Sequence, residues 1–328
     1  MIDVFSWATP GLWADFHVLQ KAMAPRERMR HRAEAKYGPN TRLHWLRRLR
    51  QPSLRQPRAQ IHLQNIFEAF MVPGIPNVWM PNQEWITPDD ASAVGDVDLI
   101  LTRTHFAHQL LCNDARFAGI EKQFVGFTVS PHSGLRAPPE ITPGDRPLRV
   151  LHVAGLGDQR QTNVVVGAWR RHPEWPMLTV VARECVLKSL GVETKDSANL
   201  RFLTEFLPSR KLARLRQTHA LNLQPSKAEG WGHAIVEGMA AGQISMTTDA
   251  PPMNEVVSAE RGILLACRPG PAMGLDVESN IDEASLEAGV ETLLALSPAG
   301  RVAMRRAGRA WFQQAHRAFP NRLREVLG

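Results

Sequence analysis

Glu229 and Glu237 stand eight positions apart in the stretch PSKAEGWGHAIVEGMAAGQ, residues 225–243. The apolar run ALNLQ reads as a strand that ends at Pro225, and helical periodicity resumes after Gly232. Ser226, Glu229, Gly230, Trp231, Gly232 and His233 therefore fall in the intervening loop and the first helical turn. Glycines let backbone amides approach a ligand closely, and a helix start presents unpaired N–H groups. That combination suits a phosphate. Carboxylates accept paired hydrogen bonds from vicinal hydroxyls, the groups that sugars and ribose offer. On this reading Glu237 lies about two turns into the helix.

A second loop with the means to hold phosphate is AGLGDQRQTNVVVGAW, residues 154–169. Gly155 and Gly157 permit a tight strand-to-helix turn, and Arg160 supplies positive charge beside it. A glycine loop of this kind is weak on its own.

The elements that must position these loops are legible around them. From residue 148 onward short apolar runs alternate with helical periodicity: LRVLHVAGL, MLTVVAR, LRFLTEF, ALNLQPS, QISMTTD and GILLAC. Such alternation means βαβ units and a parallel sheet. The N-terminal half offers IDVFSW, AQIHLQ, NVWMPN, VDLILT and KQFVGFTV, less regularly separated. The Pro/Gly-rich stretch 138–147 reads as a linker. We expect an α/β protein of two Rossmann-like domains facing a cleft, 1–147 and 148–309.

The chain of 328 residues carries a net charge of +7, which suits polyanionic partners and equally a protein that is basic only because its source is rich in arginine. Its three cysteines, Cys112, Cys185 and Cys267, form no C-x-x-C pair, so neither a zinc site nor a disulfide framework is indicated. Asp3 stands where a leader would be positive, and no apolar run approaches a membrane span. A cytoplasmic protein without a transmembrane segment is expected.

The Glu-x7-Glu element, with the preceding P-S and the following G-M-A-A-G-Q, resembles the donor signature of retaining glycosyltransferases of the GT-B fold, the family 4 type. The resemblance runs through most of residues 148–268, including LRFLTEFLPSRKLARLRQTHALNLQPS before the signature and TTDAPPMNEVV after it. It implies an enzyme that moves a sugar from a UDP- or GDP-sugar to an acceptor hydroxyl with retention, without a metal or other cofactor, and a final helix at about 310–328 that packs back on the first domain. Glu229 would contact the donor sugar, Glu237 the ribose, and main chain around Phe206 and Leu207 the base. Arg160 falls where the family has a lysine facing the diphosphate, whereas Leu156 replaces an expected arginine. Arg183 or Arg103 would have to compensate. Pro10 to Asp15, with Gly11 and Trp13, loosely resembles the glycine-bearing loop that closes over the donor. Asn82 and Glu84, at the end of a strand, would face the acceptor, and Glu84 could deprotonate it; a structural turn after Pro81 is the competing reading.

Asp96 and Asp98 form a D-x-D tripeptide that suits a divalent metal, but their place before LILT reads as a strand-entry loop. His105 and His108 alone make a poor metal site. The segment 21–58 holds twelve lysines and arginines, among them Arg47, Arg48 and Arg50 beside Trp45, Leu46 and Leu49. It suits DNA, and so a hydroxymethylated base as acceptor. It suits equally an anionic membrane carrying a lipid-linked saccharide, or a solvated basic helical insertion. A degenerate module that binds nucleotide sugar or nucleic acid without turnover is the non-enzymatic alternative.

Overall fold

Every β-strand of the two main sheets runs parallel to its neighbours, so the central strands are buried on both faces, while the edge strands β6 and β9 are partly exposed. The computed structural model describes residues 1–34, 56–130, 141 and 147–328. Arg47, Arg48 and Arg50, and nearly all of the expected linker 138–147, lie outside them. The described residues form two units. One comprises Met1–Val129, Met273–Asp276 and His316–Gly328; the other comprises Ser130–Ala272 and Val277–Ala315.

In the first unit six strands are arranged β2-β1-β3-β4-β5-β6. They are β1 (Ile2–Trp7), β2 (Met29–Glu34), β3 (Ala59–Leu63), β4 (Asn77–Met80), β5 (Leu99–Thr102) and β6 (Glu121–Phe124). Helices α1 (Pro10–Met23), α2 (Pro88–Ala93) and α3 (His105–Asn113) connect them. β3 and β4 are buried at every position, as central strands of a covered sheet should be. Two features depart from the sequence expectation. Met29–Glu34 is an edge strand paired with β1, not part of a helical insertion. Arg30 is bonded through Nε and Nη2 to the buried Asp3 carboxylate at 2.7 and 2.5 Å, and Arg32 lies 3.8 Å from it. Two cations of the basic segment thus share one carboxylate within their own sheet. The second departure is Pro10–Asp15, which is helix and not a loop. Thr9 caps it by accepting from Leu12 N, and Pro10 occupies the first turn, where a missing N–H costs nothing.

In the second unit the order is β12-β11-β10-β7-β8-β9. The strands are β7 (Val150–Gly155), β8 (Leu178–Ala182), β9 (Leu200–Leu203), β10 (Leu221–Gln224), β11 (Ile244–Thr248) and β12 (Gly262–Leu265). β13 (Arg268–Met273) and β14 (Asp276–Asn280) form a separate two-stranded sheet. The helices are α4 (Thr162–Arg171), α5 (Glu184–Ser189), α6 (Ser209–Thr218), α7 (His233–Ala240), α8 (Met253–Val256), α9 (Glu283–Ala295) and, as far as Ala315, α10 (Pro298–Leu327). The core gathers on one face of the sheet, where Val150, Leu178, Leu221 and Ile244 stand in register and Val165 and Trp169 of α4 and Leu286 and Val290 of α9 cover them. α7 lies tight on β10 because Gly238 has no side chain: a Cβ there would collide with the Asn222 amide, which donates to Ala234 O at 2.9 Å. No helix among the described residues is long and apolar enough to cross a membrane.

Candidate functional site

The order of the second sheet reverses between β7 and β10: β8 and β9 follow on one side, β11 and β12 on the other. At such a switch point the loops beyond two neighbouring strand ends diverge and leave a crevice, where open α/β sheets bind ligands. The two loops singled out by sequence are those that leave β7 and β10.

Beyond β7 the chain makes a single 3-10 turn, Asp158–Arg160. It then places Gln161 in the left-handed region at φ 49° before α4 begins. Beyond β10 it runs from Pro225 to Gly232, whose φ of 88° favours glycine and aims the amides of α7. Backbone and amide bonds stitch the two loops together. Lys227 N donates to Gln159 O at 2.9 Å, Gln159 Nε2 to Ala228 O at 3.0 Å, and Gln161 Nε2 to Pro225 O at 2.9 Å. From below, Thr247 and Thr248 hydroxyls donate to Gln224 O and Ser226 O at 2.7 and 2.8 Å.

This frame brings Arg160, Ser226 and Glu229 into one group. Glu229 is buried, accepts from the Ser226 hydroxyl at 2.8 Å and is ion-paired with Arg160, which also donates to Ser226 Oγ. Lys227 bonds Asp158 at 2.6 Å and Glu278 of β14 at 3.1 Å. Partial burial pulls the Lys227 ammonium downward, but the bonds to Asp158 and Glu278 outweigh it and leave its pKa above the ordinary lysine value. Under the loop, His152 is fully buried and its pKa falls to about 4, because burial opposes charging and Arg160 adds like charge, despite the bond to Leu223 O.

Glu237 sits four residues into α7, about one turn rather than two, because the helix opens only after Gly232. Its carboxylate pairs with Arg216 of α6, a buried guanidinium. Trp231 is buried and stacks on Trp311 with ring centroids 6.1 Å apart, and Arg261 lies 5.4 Å over Trp311. His233 is the half-buried first residue of α7. Leu156 is 68% exposed and Phe206 75% exposed; Leu207 is half-buried, and Arg183 is exposed ahead of α5. Sequence reading missed Arg216, Gln161 and the Lys227–Asp158–Glu278 group. Nothing in SRKLARLRQT distinguishes Arg216 from its basic neighbours.

In the first unit, Asp15 and Arg103 are buried against each other at 2.7 Å, with the guanidinium 4.5 Å over Phe127. Gly11 is exposed and Trp13 is 43% exposed, packed edge-on to His31. Asn82 is half-buried, and Glu84, 4% exposed, lies in the 3-10 turn Gln83–Trp85 that follows it. Asp98 accepts from Asn77 N at 2.7 Å, consistent with a strand-entry turn. Among the described residues, one group has metal-ligand atoms within 4.8 Å of one another: His172, Glu283 and Glu287. Arg171 and Glu174 already pair with members of that group.

No protein-family model and no curated protein matches the sequence. Solved structures do. Sucrose-phosphate synthase from Thermosynechococcus elongatus aligns at a TM-score of 0.71 and 13% identity, covering 99% of this chain and 98% of that one. HepE from Anabaena, solved in complex with UDP and glucose, aligns at 0.67 and 14%, covering 99% and 98%. Trehalose-6-phosphate synthase OtsA aligns at 0.66 and 11%, with the same coverage of 99% and 98%. Two parallel six-stranded sheets, matched over nearly the whole of each of these chains, show that this protein has the GT-B glycosyltransferase fold.

Proposed function

We propose that the chain is a glycosyltransferase that moves a sugar from a nucleoside diphosphate sugar, such as a UDP- or GDP-sugar, to an acceptor hydroxyl. The observation that carries this reading is the group formed by Arg160, Ser226 and Glu229 at the switch point, beside the helix start at Gly232. Glu229 would receive sugar hydroxyls and Glu237 the ribose, each exchanging its arginine partner for ligand. Arg160 and the first amides of α7 would stabilise the departing diphosphate. HepE, of the same fold, has been solved with UDP-glucose.

We read the transfer as retaining and metal-independent. The bond from the anomeric carbon to the diphosphate breaks, and a bond to the acceptor oxygen forms on the same face. The acceptor proton passes to the departing diphosphate. Glu84 is too well covered, at 4% exposure, to receive that proton unless its turn opens. The net charge of +7 and the arginine-rich segment around Arg47, Arg48 and Arg50 favour a phosphate-bearing acceptor, either a hydroxymethylated base in DNA or a lipid-linked saccharide on an anionic surface. Leu156, exposed where the family resemblance calls for arginine, favours a second reading, a module that binds nucleotide sugar without turning it over.

The test is UDP release from UDP-glucose and GDP release from GDP-mannose, with and without hydroxymethylated DNA or lipid-linked saccharide. Turnover that drops at least about 100-fold in Glu229→Ala supports the enzyme. Nucleotide binding with no turnover on either acceptor would favour the module.

A further inference from the structure

Where β7, β8 and β9 begin, at the opposite ends of the strands from the loops described above, the second unit contains a cavity of about 360 Å³. Its lining follows from strand register. Leu151 of β7 stands opposite Thr179 of β8, and Thr179 opposite Arg201 of β9. Side chains two positions apart share a face. Arg149, Met177, Thr179, Arg201 and Leu203 therefore project from the same side of the sheet, and Leu215, Thr218 and His219 close over them from the end of α6.

The charge in this cavity is one-sided. Arg149 and Arg201 are the charged groups of the lining, which holds no carboxylate. Neither guanidinium has an ion-pair or side-chain hydrogen-bond partner among the described residues, whereas the arginines of the loop site, Arg160 and Arg216, are both paired. Two like charges converging on one concavity repel each other, and an anion between them relieves that repulsion. The rest of the wall is fixed. The Leu215 carbonyl can only accept, so His219 Nδ1 donates to it at 2.7 Å, and Nε2 then accepts from the Thr179 hydroxyl at 3.0 Å. Met177, Leu203 and Leu215 supply an apolar surface beside the charges. The volume is at the low end of small-molecule sites, which run about 300–1,000 Å³.

We propose that this cavity binds a small phosphorylated ligand, its phosphate held between Arg149 and Arg201 and its body lying against Met177, Leu203 and Leu215. The site is separate from the switch-point loops and does not depend on the activity proposed for them.

The experiment is thermal unfolding of the full chain titrated with glucose 6-phosphate and, in parallel, with inorganic phosphate, each against sodium chloride of equal ionic strength. Three proteins are compared: the wild type, the double variant Arg149→Gln/Arg201→Gln, and Arg160→Ala as a control for binding at the loops. Both substituted arginines of the double variant are exposed, and glutamine keeps much of their bulk, so its own Tm without ligand reports whether the fold is intact. The expected result is a saturable rise in Tm for the wild type and Arg160→Ala, with apparent affinity at least about tenfold weaker in the double variant. Glucose 6-phosphate acting at lower concentration than phosphate would show that the apolar wall takes part; equal potency would assign the site to phosphate alone. No rise above the chloride control, or the same rise in the double variant as in the wild type, overturns the proposal.

Discussion

Each motif glutamate of the loop site already faces an arginine, Glu229 facing Arg160 and Glu237 facing Arg216. The pairs differ in depth. Glu229 and Arg160 are 10% and 16% exposed, while Glu237 is 35% exposed against a 9% exposed Arg216, so solvent screens the second pair more. Under the proposed function, a donor hydroxyl would meet carboxylates that are already oriented and partly neutralised. Below them His152 has a fixed tautomer. Leu223 O accepts from Nδ1 at 2.9 Å, which leaves Nε2 to accept from the Thr162 hydroxyl at 2.8 Å. Its folded pKa of about 4 lies below the ordinary histidine value of 6.5, so between those limits the unfolded chain binds more protons than the folded one. This contribution to stability is complete above pH 6.5 and is lost as pH falls toward 4, at up to about 1.4 kcal/mol per pH unit for one histidine. His62, also pushed to about 4 by burial, acts in the same sense in the first unit. Urea midpoints should therefore drop between about pH 6.5 and about pH 4.5, and less steeply in His152→Gln. A midpoint that stays flat in the wild type over that range would refute the argument.

At the scale of elements, Gln161 does more than end a turn. Its Nε2 donates to Pro225 O and Ser279 O at 2.9 and 3.1 Å, and its Oε1 accepts from Ile281 N at 2.9 Å. One buried amide thus joins the loop after β7, the loop after β10 and the end of β14. Gln161→Ala leaves those backbone groups buried and unmet, and should cost about 2–4 kcal/mol. Hydrogen exchange should quicken at Ile281 before it does in β7 or β10; unchanged protection at Ile281 would sink this reading. The strands that Gln161 helps to tie differ in how well the sequence reveals them. VLHVAG and LTVVA are apolar and rich in β-branched residues, the pattern of a strand covered on both faces, and their positions follow from composition. MRHRAE, RPGPAM and DVESN do not look like strands. β2 is an edge, and β13 and β14 have only each other, so pairing rather than burial makes them extended. The Glu-x7-Glu spacing and the Arg160 loop were readable because they are local. Arg216 and Gln161 were not, since their partners come from residues distant in the chain. Pro10 to Asp15 shows a local signal passed over: threonine followed by proline marks a helix start.

On the scale of the whole molecule, the last helix belongs to both units. Arg305 Nε donates to Gly242 O at 2.7 Å in the second unit. From His316 onward the same helix joins the first unit, where His316 meets the Thr128 hydroxyl at 3.0 Å and Phe319 packs edge-on against Phe127 at 5.0 Å. Arg324 reaches Ala24 O at 3.2 Å, and Leu323 is completely buried. A chain ending at Ala315 should retain the second unit and weaken the first, losing about 3–5 kcal/mol for Phe319 alone. Limited proteolysis read by mass spectrometry should then release peptides from residues 1–129 early, while 147–315 resists. Equal resistance of both regions would count against it. The same arrangement bears on how the protein is made. Residues up to Val129 leave the ribosome before the second unit, yet Phe319, which packs edge-on against Phe127, emerges only after Ala315 has been translated. At about 5–20 residues per second the wait is on the order of ten seconds or more. During that interval the earlier-made unit lacks the contacts of Phe319 and Leu323, whereas all residues of the second unit have been added by Ala315.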